Sequence, residues 1–196
     1  MKHVKLNPWV GENYQQGFRG KKIMVLGKRH YGDDSCGENY TTELVRNFLD
    51  PDAKRGRWMN TYAKFGNTVE GRTLSQEERV KFWNSILFYN YAQEIFDAPY
   101  AKPTDEQHAF AQAPFWEILE EYQPDGLIVW GPELRDELPP CIQPGGVISI
   151  EAKTVKIGKY VLSNRREVYI LFIPVPAIRF PRAEWHPIIN AFIDLC

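Results

Sequence analysis

Three short apolar runs along the chain each stop on turn or polar chemistry. Residues 22–26 run into Gly27 and then into Lys28-Arg29-His30-Tyr31-Gly32-Asp33-Asp34. Residues 86–88 lead into Tyr89-Asn90-Tyr91, and residues 127–130 into Gly131-Pro132. Such runs, without alternation, are the pattern of strands buried on both faces, as in a parallel sheet. Strand ends that all open into polar loops point to one shared rim, and ligands of open α/β sheets bind at such rims. A further strong strand is expected over 168–173, and shorter ones over 147–150, 154–157 and 160–162, the last two paired as a hairpin around Gly158-Lys159.

Between the runs the period changes to that of helices. A helix is expected over 40–49, stopped by Asp50-Pro51. Ser75-Gln76-Glu77-Glu78 and Thr104-Asp105-Glu106-Gln107 are capping boxes, in which a side-chain oxygen and a carboxylate or amide satisfy free backbone N–H groups. The first opens a helix to about residue 84. The second opens one in which Pro114 either makes a kink or begins a new helix. Phe115, Ile118, Leu119 and Tyr122 form its core stripe. A short helix is expected over 133–138. Trp185, Ile188, Ile189, Phe192 and Ile193 fall on one face of a last helix. Residues 1–20 read as an irregular arm and residues 52–73 as a long loop. Strands alternating with helices predict an α/β fold, a three-layer sandwich around a central, mostly parallel sheet.

At 196 residues, 43% hydrophobic and 25% charged, the chain fits a single soluble domain spanning 1–196. No apolar run reaches the ~20 residues of a membrane helix. Residues 1–5 have no apolar core behind them, so no secretory signal is expected. Cys36, Cys141 and Cys196 are odd in number and far apart, which argues against a disulfide framework or a metal cluster and suggests a reducing cytoplasm. With four scattered histidines besides, no metal site and no cofactor is indicated. Net charge is −1, but it is unevenly spread. Residues 1–66 carry 12 Lys/Arg against 7 Asp/Glu, residues 67–145 carry 5 against 14, and residues 146–196 carry 7 against 4. Both basic ends contain candidate loops, so one face can be positive on a nearly neutral molecule. Chance segregation on a solvated surface gives the same counts.

The candidate chemistry is concentrated in those loops. Lys28, Arg29 and His30 suit a phosphate or a leaving group, through a forked guanidinium and a side chain that titrates near neutrality. Tyr31 offers a face on which a base can stack. Lys54-Arg55-Gly56-Arg57-Trp58 sets basic residues beside an aromatic, a composition suited to a nucleic-acid backbone, with Arg55 and Arg57 as its cations. Arg179 and Arg182 flank Phe180 at the start of the last helix, where phosphates are also bound. Each has an ordinary alternative: solvated loop cations, a tyrosine packed under its loop, an asparagine at 90 bonded to its own backbone, and Asp33-Asp34 as a turn or cap.

In their order these features resemble the uracil-DNA glycosylase superfamily, and within it the divergent bacterial proteins of that group. The resemblance covers about residues 7–193. It rests on Asn7-Pro8, on Val25-Leu26-Gly27 followed by His30-Tyr31-Gly32, on Phe82-Trp83 leading to Phe88-Tyr89-Asn90-Tyr91, on Phe115-Trp116-Glu117-Ile118-Leu119, on Gln123-Pro124-Asp125, on Ile128-Val129-Trp130-Gly131, on Arg179-Phe180 and on Trp185-His186-Pro187. It implies a four-stranded parallel sheet with a nucleobase pocket at the strand ends, and DNA or a nucleotide as partner. Asn90 stands where that family reads the base. Its amide can donate to a carbonyl and accept from a ring N–H. Asp33 or Asp34 would place the water, and Arg29 or His30 would steady the departing base. Two motifs differ. Lys28 and Arg29 occupy the stretch of the family's acidic residue, and Ile173-Pro174-Val175 stands in place of its His-Pro-Ser loop. An isoleucine cannot stabilise an anionic leaving base, so the same fold acting as a non-catalytic binding module is the alternative.

Overall fold

The apolar runs come together as the middle of one sheet, where each is covered on both faces. The computed structural model describes residues 1–32, 37–96 and 104–196. Its strands are β1 (Trp9–Val10), β2 (Ile23–Gly27), β3 (His30–Tyr31), β4 (Leu87–Asn90), β5 (Ile95–Phe96), β6 (Gly126–Trp130), β7 (Gln143–Ile150), β8 (Lys153–Val161) and β9 (Glu167–Ile173). Its helices are α1 (Tyr40–Leu49), α2 (Met59–Val69), α3 (Gln76–Trp83), α4 (Asp105–Tyr122) and α5 (Arg182–Leu195), with a 3-10 turn over Pro132–Asp136. No helix among the described residues is long and apolar enough to cross a membrane.

The main sheet runs in the order β1-β4-β2-β6-β9-β8-β7. The fold is α/β with a mostly parallel central sheet, but the sheet has seven strands, not four. Its four inner strands, β4, β2, β6 and β9, are parallel. Antiparallel strands extend it on both sides: β1 on β4, and the β7–β8 hairpin on β9. β3 and β5 make a separate two-stranded ribbon.

Alternation along the inner strands divides the core into two layers. Val25, Phe88, Ile128, Trp130, Leu171 and Ile173 pack with residues of α1, α2, α3 and α5. Met24, Leu26, Leu87, Tyr89, Leu127, Val129, Ile170 and Phe172 face α4 and its neighbours. Each fully buried side chain of this kind contributes roughly 1.5–3 kcal/mol. The chain passes from β2 to β4 on one side and then returns to β6 on the other. β2 is therefore the topological switch point, and a crevice opens beyond its carboxyl end.

Both capping boxes form as the sequence predicts, at Ser75/Glu78 and Thr104/Gln107. α4 passes through Pro114 as one helix. Two expectations are corrected. Residues 52–73 are not one loop, because α2 occupies half of that stretch, with Met59, Tyr62, Phe65 and Val69 buried along one face. Gly158 does not turn a hairpin. β8 runs straight through it, and the turn lies at Glu151-Ala152. A Cβ at Gly158 would approach Ile142 Cγ2 to 2.6 Å, so close packing, not a turn, requires this glycine.

Candidate active site

Gly27 and Asn90 are register partners at the ends of β2 and β4. On the other side of β2, Leu26 pairs with Val129, so Trp130 follows beside Gly27. Across the sheet, then, an amide, a missing side chain and an indole stand in one row. The gap over Gly27 is a slot between Asn90 and Trp130. Asn90 leans into it so closely that a Cβ at Gly27 would overlap Oδ1.

This slot is the floor of a cavity of about 460 Å³. The loop after β2 contributes Lys28, Arg29, His30 and Tyr31, α1 with the residue at its start contributes Tyr40 and Leu44, and α2 contributes Thr61 and Tyr62 behind Trp58. Phe88 and Trp130 come from the sheet, Glu133 from the 3-10 turn, and Val175 from the loop after β9. The back wall is aromatic. The Tyr62 ring lies 5.1 Å from Phe88 and 5.9 Å from Trp130, centroid to centroid. The volume and apolar lining are those of a site for a small organic molecule.

The polar groups of the floor are few. His30 and Asn90 are both buried. The His30 ring is fixed by Thr41 Oγ1, 2.8 Å from Nε2, and by the edge of the Tyr40 ring. Asn90 Nδ2 lies 3.0 Å from Nδ1 and 2.9 Å from Nε2 of the same imidazole. If Nε2–H donates to Thr41, Nδ1 is left to accept from Asn90, and one neutral tautomer serves both partners. Asn90 then retains a second N–H, and Oδ1 has no hydrogen-bond donor among the described residues. Burial lowers the His30 pKa from 6.5 to about 4, so the ring is uncharged at neutral pH. This changes its expected role. A group that titrates near 4 is not the near-neutral proton shuttle the sequence suggests, and here it orients the amide. The Trp130 indole N–H is buried without a partner among the described residues, and burial raises the Tyr62 phenol.

The chain around Asn90 is held by the arm. Gln93, also buried, accepts from the Lys5 and Leu6 N–H groups and donates from Nε2 to the Asn90 carbonyl, 3.2 Å. On the opposite wall Gly131, at φ 96°, turns the chain after β6. A Cβ there would come within 2.7 Å of Glu133 Oε1.

The site residues expected from sequence fall into three groups. His30, Tyr31 and Asn90 meet in the cavity. Arg29 is at its rim, with Nε donating to Tyr31 Oη at 3.2 Å and its guanidinium carbon 5.4 Å from the Phe96 ring centroid. Lys28 also lines the cavity, but it is paired with Glu137. Arg55 and Arg57 line a separate groove. Arg179 is exposed in the loop before α5, and Arg182 donates to the Asn67 carbonyl at 3.1 Å, tying α5 to α2. Asp33 and Asp34 lie outside the described residues. Ile173 is buried in β9 beside Trp130, and Val175 reaches the cavity.

Sequence reasoning missed Thr41, Tyr62, Trp130 as a wall residue, and Glu133. Trp130, the last residue of the third run, and Glu133, just beyond its Gly131-Pro132 stop, left local traces, whereas Thr41 and Tyr62 did not. Among the described residues no three His, Cys, Asp or Glu side chains come together as a metal site. No family model matches the chain, and no curated protein sequence matches it.

Proposed function

We propose that the cavity receives a nucleobase and that Asn90 reads its edge, the reading that likeness to the uracil-DNA glycosylase superfamily also suggests. One observation carries it. A buried amide that keeps one N–H beside a neutral histidine, and whose Oδ1 has no donor among the described residues, leans into a slot faced by aromatic side chains. An amide offering one donor and one acceptor matches the adjacent N–H and C=O of a lactam edge, as in uracil or hypoxanthine. The aromatic walls suit the base faces, and Tyr31 and Arg29 stand at the cavity rim.

In the enzymatic form of this proposal, water adds to the sugar carbon and gives up a proton to a carboxylate, the C–N bond breaks, and the base departs with the bonding electrons and takes up a proton. Asn90 and the Trp130 wall hold the base. Glu133 is the carboxylate that lines the cavity among the described residues, and Asp33 and Asp34 are the first-loop candidates. A second reading, binding without hydrolysis, is favoured by Ile173 and Val175. One is buried in the sheet and the other is apolar, so that loop brings no proton donor to a departing base.

A base-release assay separates the two. Oligonucleotides carrying uracil, hypoxanthine or xanthine, single- and double-stranded, are incubated with wild type, Asn90→Ala and Glu133→Gln, and abasic sites are revealed by alkaline cleavage. The enzymatic form expects release that falls by at least tenfold in Asn90→Ala. Binding of a modified strand without release, still dependent on Asn90, supports the module. Equal behaviour of wild type and Asn90→Ala on every substrate contradicts both.

A further inference from the structure

On the far side of the turn that carries Trp58, a second groove of about 340 Å³ opens between residues 55–57, the start of α2 and α3. Arg55, Arg57 and Arg79 line it, together with Met59, Asn60 and Ala63, and no acidic residue does among the described residues. We propose that this groove binds a phosphate group, and that the phosphate belongs to the ligand whose base enters the cavity. The ligand's identity rests on the base-binding reading. The anion site itself does not.

The first argument is the contrast with other arginines of the molecule. Arg19, Arg72 and Arg166 face Glu70, Glu78 and Asp125. Arg55, Arg57 and Arg79 form no ion pair among the described residues, although they share one groove. Like charges that share a groove, with no counter-charge among the described residues, repel one another, and an anion relieves that repulsion. Arg79 registers the strain: burial, and next the charge of Arg55, hold its pKa below the usual arginine value.

The second argument is preorganisation. Arg79 Nη1 donates to Gln76 Oε1 at 2.9 Å, and its guanidinium carbon lies 5.2 Å from the Phe48 ring centroid. Its fork is therefore fixed before any ligand arrives, the condition under which bidentate phosphate binding gains most. The backbone amides of Met59, Asn60 and Thr61 already bond within the turn, so the groove's attraction for anions comes from its side chains. The third argument is position. Arg57 precedes Trp58, which lines the cavity, and α2 turns Thr61 and Tyr62 to the cavity but Asn60 and Ala63 to the groove. Cavity and groove thus share the turn at Trp58, the arrangement a ligand with both a base and a phosphate requires.

The test uses the full chain with Arg55→Gln, Arg57→Gln and the double variant, both sites being exposed, and Arg165→Gln as a distant control. Three probes are titrated: inorganic phosphate, thymidine 5′-monophosphate and a 12-nucleotide single strand. The double variant is expected to lose phosphate and monophosphate binding. For the strand, each lost arginine lowers affinity roughly tenfold and reduces the slope of log K against log salt by about 0.7. Loss confined to the strand assigns the groove to backbone phosphate; loss with the monophosphate as well assigns it to a nucleotide. Unchanged affinity for all three probes, or no binding of any by wild type, overturns the proposal. Free-base titration runs beside it. Base binding with unaffected arginine variants rejects the groove alone, whereas phosphate loss without any base binding rejects the cavity reading alone.

Discussion

A methyl group added at Gly27 overlaps Asn90 Oδ1, so Gly27→Ala forces the amide out of its slot. The expected result is a loss of about 1–3 kcal/mol in unfolding free energy, measured by urea titration, and a ligand-binding defect as large as that of Asn90→Ala. His30 makes a pH prediction. Unfolded, it takes a proton near 6.5; folded, only near 4. Between these values the unfolded state binds more protons, so stability rises as pH rises and is lost on acidification. The His30 contribution is complete above 6.5 and lost as pH drops to about 4, roughly 3 kcal/mol in all. The difference in unfolding free energy between wild type and His30→Gln should shrink over that window, whereas a constant difference would show a histidine that titrates normally. At this scale, His30, Tyr31 and Asn90 were legible because each closely follows an apolar run that stops. The partners that define their chemistry were not. Thr41, Trp130 and Tyr62 reach them only through the folded sheet and helices. Lys28 and Arg182 read as free cations, yet Glu137 and the Asn67 carbonyl, both distant in sequence, hold them.

Helix α2 shows how an element can be hidden. Asn60, Thr61, Gly66, Asn67 and Thr68 are weak helix formers, and their density gives the segment the composition of a loop. Tertiary contacts make it a helix. Phe65 and Tyr62 pack among Phe82, Trp83, Phe88 and Trp130. Its carboxyl end is held from α5, where His186 Nδ1 lies 2.8 Å from the Thr68 carbonyl and Asn190 donates to that of Val69 at 3.0 Å. Phe65→Ala should therefore lower stability by about 3–5 kcal/mol and weaken ligand binding, since Tyr62 and Trp130 lose their support. Ser75→Ala removes one half of a capping box away from the cavity. It should lower stability by about 1 kcal/mol and leave ligand affinity unchanged. Chemical denaturation and ligand titration on the two variants check both. Gly158 was misread at the same scale. Sequence shows that a glycine is needed there, but not whether a turn or a neighbour such as Ile142 requires it.

For the whole molecule, the inner parallel strands were legible because burial on both faces makes them continuously apolar. The antiparallel additions were harder to assemble. β7 mixes exposed and buried positions, and β1 is two residues long, so neither announces which edge it joins. The shared rim followed from the sequence once several runs were seen to stop at polar loops. That its centre is the switch point at β2 required the strand order. Part of the basic excess of residues 1–66 gathers around the Trp58 turn, with Arg29 by the cavity and Arg55 and Arg57 by the groove, where Arg79 joins them from the acidic middle segment. The most direct measurement of the central claim is a titration of wild type and Asn90→Ala with free uracil, hypoxanthine, cytosine and adenine, followed by the fluorescence of Trp58 and Trp130 in the cavity wall. Saturable quenching is expected with a base that has a lactam edge, and affinity roughly tenfold or more weaker in Asn90→Ala, as follows from the loss of two hydrogen bonds. No response to any base, or equal affinity in the variant, would contradict that claim.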